Sequence, residues 1–130
     1  MACDPAKASA KIAYLFGLIN RADVIFVQET HGCEDTQGFL EARIGSSFRC
    51  YWSHRTAQAG GLLAVLRLDF AAQFATHAWA VVQPFALTSI SFSGPRGCLT
   101  LYGLYLDAAR DRSRRHTLGL LARDCPARSD

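Results

Sequence analysis

Asp23-Val24-Ile25-Phe26-Val27-Gln28-Glu29-Thr30-His31-Gly32 is the stretch on which the reading of this chain turns. Val24, Ile25 and Val27 are β-branched and Phe26 is aromatic, so the run predicts a strand over 24–29. Because it is continuously apolar, not alternating, it predicts a strand buried on both faces. It ends on a carboxylate, Glu29, flanked by Gln28, Thr30 and His31. Polar groups at the end of a buried strand are costly to desolvate, and a rigid strand end is a good place to fix a metal-binding carboxylate.

Upstream, Asp4-Pro5 opens a helix, with Asp able to accept from free N–H groups and Pro tolerated at the first helical position. Ala8, Ile12, Leu15, Phe16 and Ile19 recur at helical spacing and carry it to about Ala22. Downstream, residues 35–44 predict a short helix capped by Asp35 or Thr36. Residues 48–54 alternate Phe, Cys and Trp against Arg, Tyr and Ser, a strand pattern. Gly60-Gly61 then opens the apolar strand Leu62-Leu63-Ala64-Val65-Leu66. Residues 72–83 are Ala-rich and predict a strand near their end. Residues 85–92 and 98–106 flank Ser93-Gly94-Pro95-Arg96-Gly97 and predict a hairpin. A last helix is expected from Ala108 to about Arg123, ended by Pro126. Helix, strand, short helix, several strands, hairpin and helix together predict a layered α/β domain with a mixed sheet and flanking helices, a single domain over 1–130.

Of the 130 residues, 50% are hydrophobic and 19% charged, with net charge +3, a globular composition that permits phosphate-bearing partners without demanding them. No apolar run is long enough to cross a bilayer and no secretory signal is visible, so an intracellular protein is expected. Cys3, Cys33, Cys50, Cys98 and Cys125 are scattered and odd in number, with no metal-ligand spacing; this is the pattern of reduced thiols.

Gln28-Glu29-Thr30 resembles the Gln-Glu-Thr motif of the endonuclease/exonuclease/phosphatase family, which includes DNase I-like nucleases, abasic-site endonucleases, retrotransposon endonuclease domains and inositol-polyphosphate phosphatases. Two further features are similar in the same order. Gly60-Gly61-Leu62-Leu63-Ala64 resembles the Gly-Gly strand that follows the Glu motif. Leu101-Tyr102-Gly103-Leu104-Tyr105 resembles the family strand that ends in an active-site Tyr, although Leu106-Asp107-Ala108 replaces the usual apolar-Pro-Asn. The nearest look is that of the abasic-site and retrotransposon branch.

The resemblance implies about half of a DNase I-like α/β sandwich, with Glu29 as ligand to Mg²⁺ (or Mn²⁺) and Tyr105 as a phosphate contact. It implies a nucleic-acid or other phosphoester substrate, with Glu29 and Tyr105 at the same edge of one sheet, facing a common cleft. His31, His54, Arg55 and the arginines of the last helix are further candidate substrate contacts. The match covers about 11–123. The family's opening Asn-bearing strand, its Gly-Asp-Phe-Asn motif and its closing Ser-Asp-His motif have no counterpart here. The expectation is therefore a fragment of a phosphodiesterase domain, inactive as it stands. The alternatives are the phosphatase branch of the same family and a non-catalytic remnant that binds nucleic acid or protein.

Overall fold

The computed structural model describes residues 5–28, 30, 34–53, 61–106 and 111–124. Along them run α1 (Pro5–Ile19), β1 (Val24–Gln28), α2 (Glu34–Ile44), β2 (Phe48–Ser53), β3 (Leu62–Arg67), α3 (Leu68–Ala71), β4 (Thr76–Gln83), β5 (Leu87–Gly94), β6 (Gly97–Leu104) and α4 (Asp111–Asp124). The strands form two three-stranded sheets, in the orders β1-β3-β2 and β4-β5-β6. Every pairing is antiparallel. The chain is a layered mixed α/β structure, as its patterning predicts, but the expected mixed sheet is replaced by two antiparallel ones.

Side-chain alternation sorts the first sheet into two faces. Ile25, Val27, Phe48, Cys50, Trp52, Leu63 and Val65 pack with Ile12, Leu15 and Ile19 of α1 and Leu40 and Ile44 of α2. The opposite face presents Val24, Phe26, Tyr51, Ala64 and Leu66 to Trp79, Ile90, Phe92 and Leu101 of the second sheet. Tyr51 stacks on Trp79 across that interface, ring centroids 5.1 Å apart. Beyond the second sheet lies α4, against β4, where Thr117 is buried and the Tyr102 hydroxyl donates to Asp124 (2.9 Å). Ala78, Ala80 and Ser89 alternate onto the face opposite Trp79 and Ile90, and their small side chains leave room for a helix.

Several expectations are corrected. β1 is an edge strand whose apolar residues are half-buried; it is β3, with Leu62 to Leu66 all at most 2% exposed, that is buried on both faces. An apolar run reports burial, but which strand takes the centre depends on pairings far away in sequence. α1 stops at Ile19, short of Ala22, and the Arg67 guanidinium from the end of β3 donates to the carbonyls of Ile19 and Ala22. A cationic donor at a helix C-terminus satisfies carbonyls left without an intrahelical partner. The single-turn α3 is not expected from the sequence. Phe70 and Phe74, four residues apart, set it by meeting Phe92 edge-on (5.3 Å) and tilted (4.9 Å). α2 begins at Glu34, so Asp35 and Thr36, expected to cap it, lie inside its first turn. The residues at 107–110 and 125–130 lie outside what is described.

The two sheets approach most tightly where Gly103 of β6 faces Phe26 of β1. A Cβ at Gly103 would lie 2.4 Å from Phe26 Cδ1 and 2.8 Å from Thr88 Oγ1. Gly103→Ala is therefore expected to overpack the interface and lower stability by about 1–3 kcal/mol. Gly119→Ala in α4, where an added Cβ meets nothing within 4 Å, should raise it by about 0.5–1 kcal/mol. Urea unfolding of the two variants checks the contrast.

Candidate functional site

One end of the sandwich gathers the strand ends singled out by the sequence. The registers set Gln28, Leu62 and Ser53 side by side across the first sheet. They likewise set Gln83, Leu87 and Leu104 side by side across the second. Two hydrogen bonds tie these rows together. The Gln28 side-chain amide donates to the Leu104 carbonyl. The Phe85 backbone N–H, in the turn between β4 and β5, donates to Ser53 Oγ (3.3 Å). Phe85 holds a left-handed φ of +67°, a conformation that disfavours non-glycine residues and persists where the surroundings fix it.

Tyr105 follows β6 at this end. It is half-buried, and its backbone N–H donates to the Ala86 carbonyl (2.8 Å), extending the ladder one residue past the strand. Glu29, His31, His54 and Arg55 lie outside the described residues, as do Gly60 and Asp107. Their described chain neighbours, Gln28, Thr30, Ser53 and Gly61, belong to this end. β1 and β6 thus converge at their C-terminal ends, but from two sheets; the expected common edge of one sheet is not what the fold provides.

Thr30, to which the sequence reading gives no separate role, is fully buried here. Its N–H donates to the Gly61 carbonyl (3.3 Å), and among the described residues its Oγ1 has no hydrogen-bond partner. Gly61 has φ +97°, and a Cβ there would lie 2.4 Å from Thr30 Oγ1. Both physical reasons for the paired glycines therefore hold at Gly61: a left-handed backbone and close approach of another segment. Neighbouring Thr and Ser residues carry no pattern that would have announced Thr30 or Ser53. Only the register brings them together.

The described side-chain donors at this end are the Thr30 and Ser53 hydroxyls, the Gln28 amide and the Tyr105 phenol. All are hard oxygen or amide groups, which fits a magnesium-like cation better than a thiophilic one. Among the described residues no three His, Cys, Asp or Glu side chains form a metal-binding group.

The remaining chemistry-bearing groups lie elsewhere. Arg114 and Arg115 of α4 both reach Asp111, at 3.2 Å and 2.9 Å, so their charge is partly matched within the helix itself. A concavity of about 650 Å³ opens at the opposite end of the second sheet, by Phe74, Arg96, Cys98 and Leu99, and its lining holds no carboxylate. Cys50 packs under α1 and α2. Burial, reinforced by the Glu41 carboxylate, pushes its thiol from an ordinary 9.0 up to about 12, which makes it inert as a nucleophile. Among the described residues no helix is long and apolar enough to cross a membrane.

Comparison with family models, curated proteins and solved structures returns no match for this chain. The likeness to the endonuclease/exonuclease/phosphatase motifs stands on the quoted residues alone.

The two described cysteines should behave differently. At pH 8, iodoacetamide is expected to modify exposed Cys98 and leave Cys50 intact until the chain unfolds, read by peptide mass. Because the folded chain favours the protonated Cys50 thiol, that stabilisation is fully present below 9.0 and lost as pH rises toward about 12. Cys50→Ala should flatten the decline in stability over that interval.

Proposed function

We propose that this chain carries part of a Mg²⁺-dependent phosphodiesterase domain of the endonuclease/exonuclease/phosphatase kind, acting on nucleic acid. Glu29 is the metal-binding carboxylate and Tyr105 a phosphate contact. What supports this reading is the hydrogen bond from the Gln28 side chain to the Leu104 carbonyl. It joins the residue before Glu29 to the residue before Tyr105, across two different sheets, in a chain where the two motifs lie far apart in sequence.

The bound ion would supply charge and polarise a phosphoester oxygen. Glu29 provides the anionic oxygen that holds it, and the Tyr105 phenol donates a hydrogen bond to a phosphate oxygen. Gln28, Phe85 and Ser53 hold the ends of both sheets together, so that these groups meet the substrate from fixed positions. The family's water-activating Asp has no counterpart in these 130 residues. General-base assistance is typically worth ~10²–10⁴-fold, so hydrolysis by these residues is expected near background, and with Glu29 as the one recognisable metal carboxylate the cation is held weakly. A remnant that binds nucleic acid through α4 is the weaker reading, because Arg114 and Arg115 already pair with Asp111.

Titration with Mn²⁺ in the millimolar range, followed by amide NMR, tests the reading. The expected result is selective broadening of Gln28, Thr30, Leu104 and Tyr105, abolished in Glu29→Gln. Broadening centred on Asp111 and Asp124, or unchanged in Glu29→Gln, would contradict it. Abasic-site and supercoiled DNA should remain uncut with and without Mg²⁺. Metal-dependent cleavage that disappears in Glu29→Ala would show a complete site.

A further inference from the structure

β4 lies at one edge of the second sheet and pairs with β5 alone; among the described residues no strand covers its outer side. Such an edge presents a row of unpaired N–H and C=O groups, and folded proteins guard it with charge, proline or a covering element. β4, Thr76-His77-Ala78-Trp79-Ala80-Val81-Val82-Gln83, contains no Asp, Glu, Lys, Arg or Pro. The uncharged run extends from Phe70 to Pro95, although the chain holds 14 Lys or Arg and 11 Asp or Glu. β5 is interior and needs no guard, but β4 does. The other edges are treated differently: β1 follows Asp23, β2 carries Arg49, and the end of β6 is tied to the Gln28 side chain. A register irregularity between Val81 and Gln83 lies at the end of β4 and leaves Thr76 to Val81 regularly paired with β5.

The bare edge is also complementary to itself. Ala78-Trp79-Ala80 reads the same in both directions. An antiparallel copy centred on Trp79 sets Ala78 opposite Ala80, His77 opposite Val81 and Thr76 opposite Val82, so each face of one sheet continues into the same face of the other. No pair opposes like charges. Thr76, Ala78 and Ala80 are exposed, and Val81 keeps 44% of its surface in solvent.

We propose that β4 is the interface between two copies of this chain, which pair edge to edge about a two-fold axis at Trp79 and join their second sheets into one. Tyr51 of β2 stacks on Trp79, so this flank of the sandwich is two sheets deep. Eight residues span about 27 Å and stacked sheets lie about 10 Å apart. A flank roughly 15 Å deep then buries about 800 Å² in total, the low end for a specific contact. The dimer is therefore weak and reversible. It is closed, because the axis uses up both β4 edges.

Sedimentation equilibrium of the purified chain from micromolar to millimolar concentration tests the pairing. The expected result is a reversible monomer–dimer equilibrium that goes no further. Val81→Lys puts a charge on the exposed edge and should leave a folded monomer throughout that range. Val81→Thr, neutral and still β-branched, should dimerise like the parent. If Val81→Lys does not fold, Thr76→Lys at the other end of the strand makes the same test. In a mixture of isotope-labelled and unlabelled chains, NMR contacts between protomers should centre on Trp79, with Ala78 of one protomer beside Ala80 of its partner. A chain that stays monomeric at millimolar concentration, assembles beyond a dimer, or pairs through another strand would overturn the proposal. So would a Val81→Lys chain that still dimerises.

Discussion

The helical layer of α1 and α2 and the second sheet are both built against one strand. β3 is hydrogen-bonded along both edges, to β1 and β2, and its residues from Leu62 to Leu66 are buried on both faces. Leu63 and Val65 anchor the helical layer, and Ala64 and Leu66 anchor the second sheet. Its last residue, Arg67, closes α1 and faces Asp23 at the approach to β1. Its first neighbour, Gly61, receives Thr30. A strand with backbone bonds satisfied on both sides and apolar side chains on both faces has no tolerant position, and it fixes where both ends of β1 lie.

That constraint explains why the candidate site is at the end where β3 begins. β1 and β2 both run antiparallel to β3, so both finish beside Leu62. Packing of Phe26 against the gap at Gly103 then brings the end of β6 to the end of β1. Gln28 alternates onto the same face as Val24 and Phe26, which lets its amide reach Leu104. Convergence of the motifs follows from pairing and packing and requires no special loop. The hard-oxygen character of the described donors follows from the sequence at those strand ends.

Much of this architecture can be read from local pattern. Helical spacing identifies Ile12, Leu15 and Ile19 as the buried stripe of α1, and Gly94-Pro95-Arg96-Gly97 marks the β5–β6 turn. What local pattern does not carry is partnership. Nothing in Val24-Ile25-Phe26-Val27 says that it pairs with β3 and stays at an edge, or that β4, β5 and β6 form a separate sheet. α3 is hidden because four residues are too few for a periodic signal; the spacing of Phe70 and Phe74 is its only trace. At the site, Glu29 and Tyr105 are conspicuous by type and position, whereas Thr30 and Ser53 owe their relevance to what the register places beside them.

The central claim is that the two sheets pack face to face so that β1 and β6 end together. Its most direct test is an NMR measurement of proton–proton contacts between the Phe26 ring and the Gly103 α-protons, and between the Gln28 side-chain amide and Leu104. The account predicts strong contacts in both pairs, since Gly103 leaves less than van der Waals room for a Cβ beside Phe26. Contacts from β1 confined to β3 and the helical layer, with none to β6, would contradict it.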